Sequence, residues 1–186
     1  IKSTIVVTTD KVYLNEDKKI NFDENSKLGG HDIYSSSKAC CEILTESFVK
    51  SFIDNNKCKI ATVRSGNCIG GGDWTKDRIV KDCIEAFINK KKLVIRSPNS
   101  TRPWQHVMEP VCGYLKLAEK LSGKNGKRFV GSWNFGPSRV NLSVLNLAKL
   151  GKKIFNSSSK IVIEQKKIKN MKLNIYLWTQ KNLLNI

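Results

Sequence analysis

Two short β-branched runs, Ile5-Val6-Val7 and Ile60-Ala61-Thr62-Val63, bracket a stretch whose apolar residues recur at helical spacing. Short, unbroken apolar runs of this kind read as strands buried on both faces, as in a parallel sheet. The alternation continues down the chain. Extended segments are expected at Leu93–Ile95, Phe129–Phe135 and Lys160–Ile163. Helices are expected over Ser35–Phe52, Arg78–Asn89, Val111–Leu121 and Leu142–Phe155. Strands alternating with helices predict an α/β domain with a mostly parallel sheet. The polar, Gly-containing stretch from Asn15 to Asp32 is expected to be a long loop.

In the first helix Ser35 to Ser37 offer N-caps. Its apolar stripe, Ala39, Cys40, Ile43, Leu44, Phe48, Val49 and Phe52, fits a period near 3.6 and is expected to face the core. The second helix turns Ile79, Cys83, Ala86 and Phe87 inward. With 186 residues, 40% hydrophobic and 26% charged, the chain has material for one ordinary globular core.

The formal net charge of +17 raises the question of nucleic acid or anionic membrane. The lysines are scattered, and no RNA-binding, zinc-finger or basic-zipper pattern accompanies them. A solvated basic surface is the expectation, with no nucleic-acid or membrane partner. A steeply salt-dependent DNA affinity would argue for the other reading. Six cysteines, Cys40, Cys41, Cys58, Cys68, Cys83 and Cys112, form no Cys-x-x-Cys pair, so no metal is expected. They are read as reduced, mostly buried thiols of a soluble cytoplasmic protein. The first nine residues are too short an apolar run for a signal peptide or a membrane span.

The residues that carry chemistry cluster after the first strand and at the start of the first helix. Tyr34 and Lys38 are four apart, so a helix sets them on one face. A neighbouring ammonium favours the phenolate, and a tyrosine unperturbed near pKa ~10 can then act as a base. Thr8-Thr9-Asp10-Lys11 follows Ile5-Val6-Val7. That is the carboxyl end of a strand, where open α/β sheets place ligands. Gly66-Asn67-Cys68-Ile69-Gly70-Gly71-Gly72-Asp73-Trp74 follows the next strand, and its glycines allow close approach of a ligand. Arg102 is a fork-shaped donor suited to phosphate. His106 is equally compatible with a structural role.

Five segments occur in order: Thr8 to Tyr13, Tyr34 to Lys38, Arg64 to Trp74, Arg102 to Val107 and Trp133 to Pro137. Together they resemble the extended short-chain dehydrogenases/reductases, and within them the nucleotide-sugar 4,6-dehydratases of the CDP-glucose type. The resemblance implies a partial NAD(P)-binding Rossmann fold, a doubly wound parallel sheet, with a small C-terminal substrate-binding subdomain. Residues 1–66 would be the later part of the NAD-binding domain. Residues 67–186 would be a substrate-binding region interleaved with late Rossmann elements, with an atypical basic tail from about Gly151. No Gly-x-x-Gly-x-x-Gly turn occurs near the first strand. The expectation is therefore a chain lacking the first, dinucleotide-binding half. The likeness fades after Asn141.

The resemblance also implies roles. Thr9, Asp10, Lys11, Tyr34 and Lys38 would be catalytic. Thr8, Tyr34 and Lys38 would bind the cofactor, NAD. Asn67, Gly71, Gly72, Asp73, Trp74, Arg78, Arg102 and His106 would line the nucleotide-sugar substrate, CDP-glucose. The first helix would double as a homodimer contact. Relatives acting on dTDP- or GDP-sugars usually carry Glu where Lys11 stands. A sugar-nucleotide epimerase or reductase, or an inactive remnant, are the other readings, and the acid–lysine couple after the strand argues against the epimerase.

Overall fold

The computed structural model describes residues 1–16, 21–54, 57–137, 142–164 and 177–178. Its centre is a three-stranded parallel sheet of β1 (Ser3–Val7), β3 (Lys59–Ser65) and β8 (Gly131–Phe135), in the order β1-β3-β8. Ile5 pairs with Ala61, and Val63 with Trp133. Helix α1 (Ile33–Phe52) crosses from β1 to β3, and α3 (Met108–Ser122) leads from β3 to β8. The α/β architecture read from the alternation is the one observed.

The sheet is two-faced, because side chains alternate along a strand. Ala61 and Val63 of β3, with Trp133 and Phe135 of β8, pack under Leu117 and Leu121 of α3. Full burial of each large apolar side chain contributes about 1.5–3 kcal/mol. The intervening residues, Thr62, Arg64, Ser132 and Asn134, face the other way, and Thr62, Arg64 and Ser132 meet Glu42 of α1. One face is thus held by apolar packing and the other chiefly by polar bonds, beside a small apolar cluster of Val12, Tyr13, Phe22 and Ala39.

Between the main strands lie β2 (Asn21–Phe22) and β4 (Cys68–Ile69), then α2 (Ile79–Ile88), β5 (Leu93–Ile95), β6 (Thr101–Arg102) and β7 (Gln105–His106). After β8 come β9 (Leu142–Ser143), α4 (Val144–Ile154), β10 (Ile161–Ile163) and β11 (Leu177–Trp178). Helices α2 and α4 close a second core of Cys83, Ala86, Phe87, Leu93, Ile95 and Ala148 against the β5–β10 pair. Cys83 is buried there, which pushes its thiol up to about 12.

Several expectations need correction. Helix α1 begins at Ile33 and is capped by Asp32, not by Ser35 to Ser37: the Asp32 carboxylate accepts the Ser35 amide at 2.9 Å. Of the expected core stripe only Ala39 is buried, while Ile43, Leu44, Phe48 and Phe52 are exposed. The inner face of α1 is instead Ser35, Ala39 and Glu42. The stripe has the right period but faces outward, because the sheet surface beneath is polar. For the same reason Cys40 and Cys41 are exposed. Cys68 and Cys112 are exposed too, so the thiols are free but not mostly buried. The Asn15–Asp32 stretch includes the short strand β2. The lysines of the basic tail beyond Glu164, Lys166, Lys167, Lys169, Lys172 and Lys181, lie outside the described residues. No helix among the described residues is long and apolar enough to cross a membrane.

Helix α3 approaches the sheet at Gly113, where a Cβ would stand 2.4 Å from Phe135 Cε1. Phe135 has no slack, since Tyr114 meets it edge-on with centroids 5.1 Å apart. Gly113→Ala is expected to destabilise the fold by about 1–2 kcal/mol, overpacking outweighing the gain in helix propensity. A lowered urea midpoint checks this, and a raised one would show that the ring yields freely.

Candidate active site

The carboxyl ends of the three parallel strands converge on one region. The chain leaves β1 through Thr8 and turns sharply at Asp10–Val12 in a 3-10 turn. Thr9 caps that turn, its hydroxyl accepting the Lys11 amide at 3.4 Å. The same hydroxyl donates to Asp10 Oδ1 at 3.0 Å. Asp10 is only 5% exposed. Burial pushes its carboxyl up to about 6, against the Thr9 hydrogen bond and the charges of Lys11 and Arg102. A carboxyl in that range holds a proton far more readily than an exposed one, as a general acid must.

Lys11 brings the two halves of the site together. Its Nζ lies 5.7 Å from the centroid of the Tyr34 ring, on the first turn of α1. Asp32, which caps that helix, also feels the Lys11 charge. The hydrogen bonds from Ser35 are the main cause that holds its carboxyl below the usual range. Tyr34 is half exposed, with its ring at the mouth of the site. Lys38, one turn on, has no hydrogen-bond or ion-pair partner among the described residues. Phenol, acid and the Lys11 ammonium therefore meet at the end of β1, with Lys38 one helical turn after the phenol.

Arg102 is close enough for its charge to act on Asp10, and its Nη1 donates to the Thr101 carbonyl at 3.0 Å. Asn67 lies in the turn after β3, where its carbonyl accepts the Gln105 amide at 3.0 Å. Gly66 is required in that turn, because a Cβ would meet Pro103 Cγ at 2.4 Å. His106 serves the backbone: its Nδ1 accepts the Met108 amide at 3.3 Å and so starts α3. Gly71, Gly72, Asp73, Trp74 and Arg78 stand apart on an exposed loop. Asp73 pairs with Arg78 at 3.8 Å, and among the described residues neither bonds to Tyr34 or to the Asp10–Lys11 turn. Thr8 departs from expectation. Its buried hydroxyl donates to Glu42 and to the Val63 carbonyl, 3.2 Å away, and so faces the interior.

Beneath the site lies a buried polar cluster that the sequence reasoning missed. Arg64 and Glu42, each 2% exposed at the side chain, pair at 2.8 Å. Arg64 also donates to Tyr13 Oη at 2.9 Å and to Ser132 Oγ at 2.9 Å, and Tyr13 donates to Asn134 at 2.6 Å. Burial pushes the Tyr13 phenol up to about 12 despite Arg64. Burial alone would raise Glu42, but the Arg64 bonds and charge, with Thr62 and Thr8, bring it below its usual value. The only local signal was one acid on a helix face otherwise lined by small residues.

A group whose folded pKa is depressed contributes stability that is full above its unfolded value, ~4.3 for Glu, and is lost as pH falls below it. Glu42 is such a group. The urea midpoint of the protein is expected to fall more steeply between about pH 4.5 and pH 3 than that of Glu42→Gln. Parallel slopes in the two proteins would contradict this.

A sequence profile of the NAD dependent epimerase/dehydratase family matches residues 1–131. CDP-glucose 4,6-dehydratase of Salmonella typhimurium is 43% identical over 142 residues, which is 74% of this chain and 39% of that protein. Human dTDP-D-glucose 4,6-dehydratase is 30% identical over 149 residues, 80% of this chain and 39% of the relative. The chain thus spans about two fifths of the length of these curated relatives. Among solved structures, the UDP-glucose 4-epimerase of Thermotoga maritima with UDP-glucose superposes with a TM-score of 0.79. It is 20% identical and the match covers 97% of this chain and 55% of the other. The dTDP-glucose 4,6-dehydratase of Bacillus anthracis in complex with NAD gives 0.71 at 17% identity, over 95% and 52% of the two chains. At such identities the likeness establishes the fold, the Rossmann-type α/β sheet of these enzymes.

Proposed function

The chain belongs to the NAD dependent epimerase/dehydratase family, and from that premise we propose that it carries the catalytic residues of a nucleotide-sugar 4,6-dehydratase acting on CDP-glucose. The observation that carries the reading is Lys11 lying over Tyr34 beside a buried Asp10 whose carboxyl burial pushes up to about 6. An epimerase moves one hydride and one hydroxyl proton and needs no acid–base couple at this place. A dehydratase must also remove a carbon-bound proton and protonate a leaving hydroxyl.

The residues present fit NAD: Lys38 has no bonded partner among the described residues and stands one helical turn after Tyr34 on α1, so both are available to a dinucleotide ribose. Tyr34 and Lys38 would hold it, and the assignment of Thr8 to the cofactor rests on its backbone, since its hydroxyl is engaged with Glu42. Held there, NAD would supply a hydride acceptor for the sugar C4 and a hydride donor for C6. Tyr34 takes the proton of the 4-hydroxyl. The resulting ketone acidifies the C5 proton, which is assigned to Lys11 for removal. Asp10 protonates the departing 6-hydroxyl, which leaves as water. Thr9 is assigned the same 4-hydroxyl. Once Asp10 carries a proton it needs no donor from Thr9, whose own proton then serves the sugar oxygen.

Arg102 is assigned the diphosphate, and Asn67, Gly71, Gly72, Asp73, Trp74, Arg78 and His106 the surroundings of the nucleotide-sugar. The exposed loop from Gly71 to Arg78 would reach the substrate by closing over it. The outward stripe of Ile43, Leu44, Phe48 and Phe52 supports α1 as a homodimer contact.

The whole protein, given NAD+ and CDP-glucose, is expected to form CDP-4-dehydro-6-deoxy-D-glucose. The new C6 methyl group is read directly by proton NMR. Inversion at C4 without a methyl signal would favour the epimerase reading, and unchanged substrate would overturn both.

A further inference from the structure

One carboxylate joins the two halves of the site. Glu42 lies on the inner face of α1, four residues after Lys38 and eight after Tyr34. Its Oε1 accepts from Thr8 Oγ1 and from Arg64 Nε at 2.9 Å. Its Oε2 accepts from Thr62 at 2.6 Å, from Arg64 Nη2 at 2.8 Å and from Ser132 at 3.4 Å. Thr8 extends β1, Thr62 and Arg64 belong to β3, and Ser132 to β8, so the side chain touches all three strand lines of the sheet. Thr8 is also the residue before Thr9 and the Asp10–Lys11 turn.

Apolar packing holds α1 by one small residue, Ala39, against Val12, Tyr13 and Phe22, while Ile43, Leu44, Phe48 and Phe52 are exposed and add nothing. Non-directional burial would in any case leave the helix free to slide by fractions of a turn. A bidentate carboxylate–guanidinium fork has fixed geometry and does not. Arg64 is itself locked, donating further to Tyr13, Ser132 and the Glu24 carbonyl. Buried ion pairs commonly add little net stability over apolar pairs of like size. A specifying role accounts for one placed here.

We propose that Glu42 is a positioning residue: it sets where Tyr34 and Lys38 stand relative to Thr9, Asp10 and Lys11, and so tunes the proton transfers without touching substrate. The proposal rests on the reading of Tyr34 and Lys11 as the reacting groups.

The test compares Glu42→Asp and the apolar pair Glu42→Leu with Arg64→Met, both in the whole protein. Asp keeps the charge but withdraws the anchor by one methylene. The apolar pair removes both charges together and so leaves no buried charge without a partner. For Glu42→Asp, kcat is expected to fall at least tenfold with KM for the nucleotide-sugar within threefold of the parent. The apolar pair is expected to unfold within a few degrees of the parent and yet keep the kcat loss. A folded apolar pair with kcat within threefold of the parent would reduce Glu42 to a structural ion pair and overturn the proposal. So would Glu42→Asp with undiminished kcat.

Amide hydrogen exchange reads the same question without substrate. In Glu42→Asp, faster exchange confined to the first two turns of α1 supports the positioning role. Unchanged exchange, or faster exchange along the whole helix, overturns it. A parent that turns over no nucleotide-sugar would sink the dehydratase reading while this exchange pattern still decides the role of Glu42.

Discussion

Tyr34→Phe is expected to lower CDP-glucose turnover by roughly 10²- to 10⁴-fold, the range that a positioned proton acceptor contributes. The change removes one oxygen from a half-exposed ring. It keeps the ring face over which Lys11 Nζ sits at 5.7 Å. Stability and the affinity for the nucleotide-sugar should therefore hardly move, and the loss should fall on kcat. A deficit confined to KM would assign Tyr34 to binding alone, and unchanged turnover would remove it from the mechanism.

Lys11→Ala addresses the later half of the cycle. Loss of a carbon base should cost a comparable 10²- to 10⁴-fold in product formation. The substrate should still be oxidised at C4, since Tyr34 and Lys38 remain. Exchange of the C5 proton with deuterated solvent should be lost together with the methyl product, whereas wash-in at the parental rate would show that another group takes that proton. The partner acid adds a pH signature. Asp10, pushed up to about 6 by burial, must be protonated to release the 6-hydroxyl. The protonated fraction declines tenfold per pH unit above that value. The ratio of elimination to C5 wash-in should follow the same decline, because the carbon base acts in both and the acid only in elimination, and a ratio flat from pH 6 to 8 would exclude Asp10 as the donor.

Local pattern made most of the frame legible. The apolar runs at Ile5–Val7 and Ile60–Val63 and the helical spacing of Ile79, Cys83, Ala86 and Phe87 are short-range signals, and the structure keeps them. Helix α1 misled, because a 3.6-residue period tells that a stripe exists, not which way it faces. The choice was made by Thr62, Arg64, Ser132 and Asn134, which are remote in sequence and give the sheet a polar face. The Arg64–Glu42 pair spans 22 residues, and Tyr13 meets Asn134 across 121. No window along the chain contains such partners. The two-residue strands β2, β4, β6, β7 and β9 were invisible for a simpler reason: two residues carry no periodicity. In the candidate site, motif and position after β1 sufficed to nominate Tyr34, Asp10 and Lys11 together. Spacing could not reveal that the Thr8 hydroxyl turns inward or that the Gly71–Arg78 loop stands apart.

The unlike faces of the central sheet give the molecule an unequal response to temperature. Attraction between apolar groups weakens on cooling, and the side under α3, where Leu117, Leu121, Trp133 and Phe135 meet, depends on it. The dehydration cost borne by charged groups shrinks on warming, which favours the side where Glu42 and Arg64 clasp. Chilling should therefore loosen the grip on α3 before that on α1, leaving Tyr34 in register after the opposite layer has begun to give.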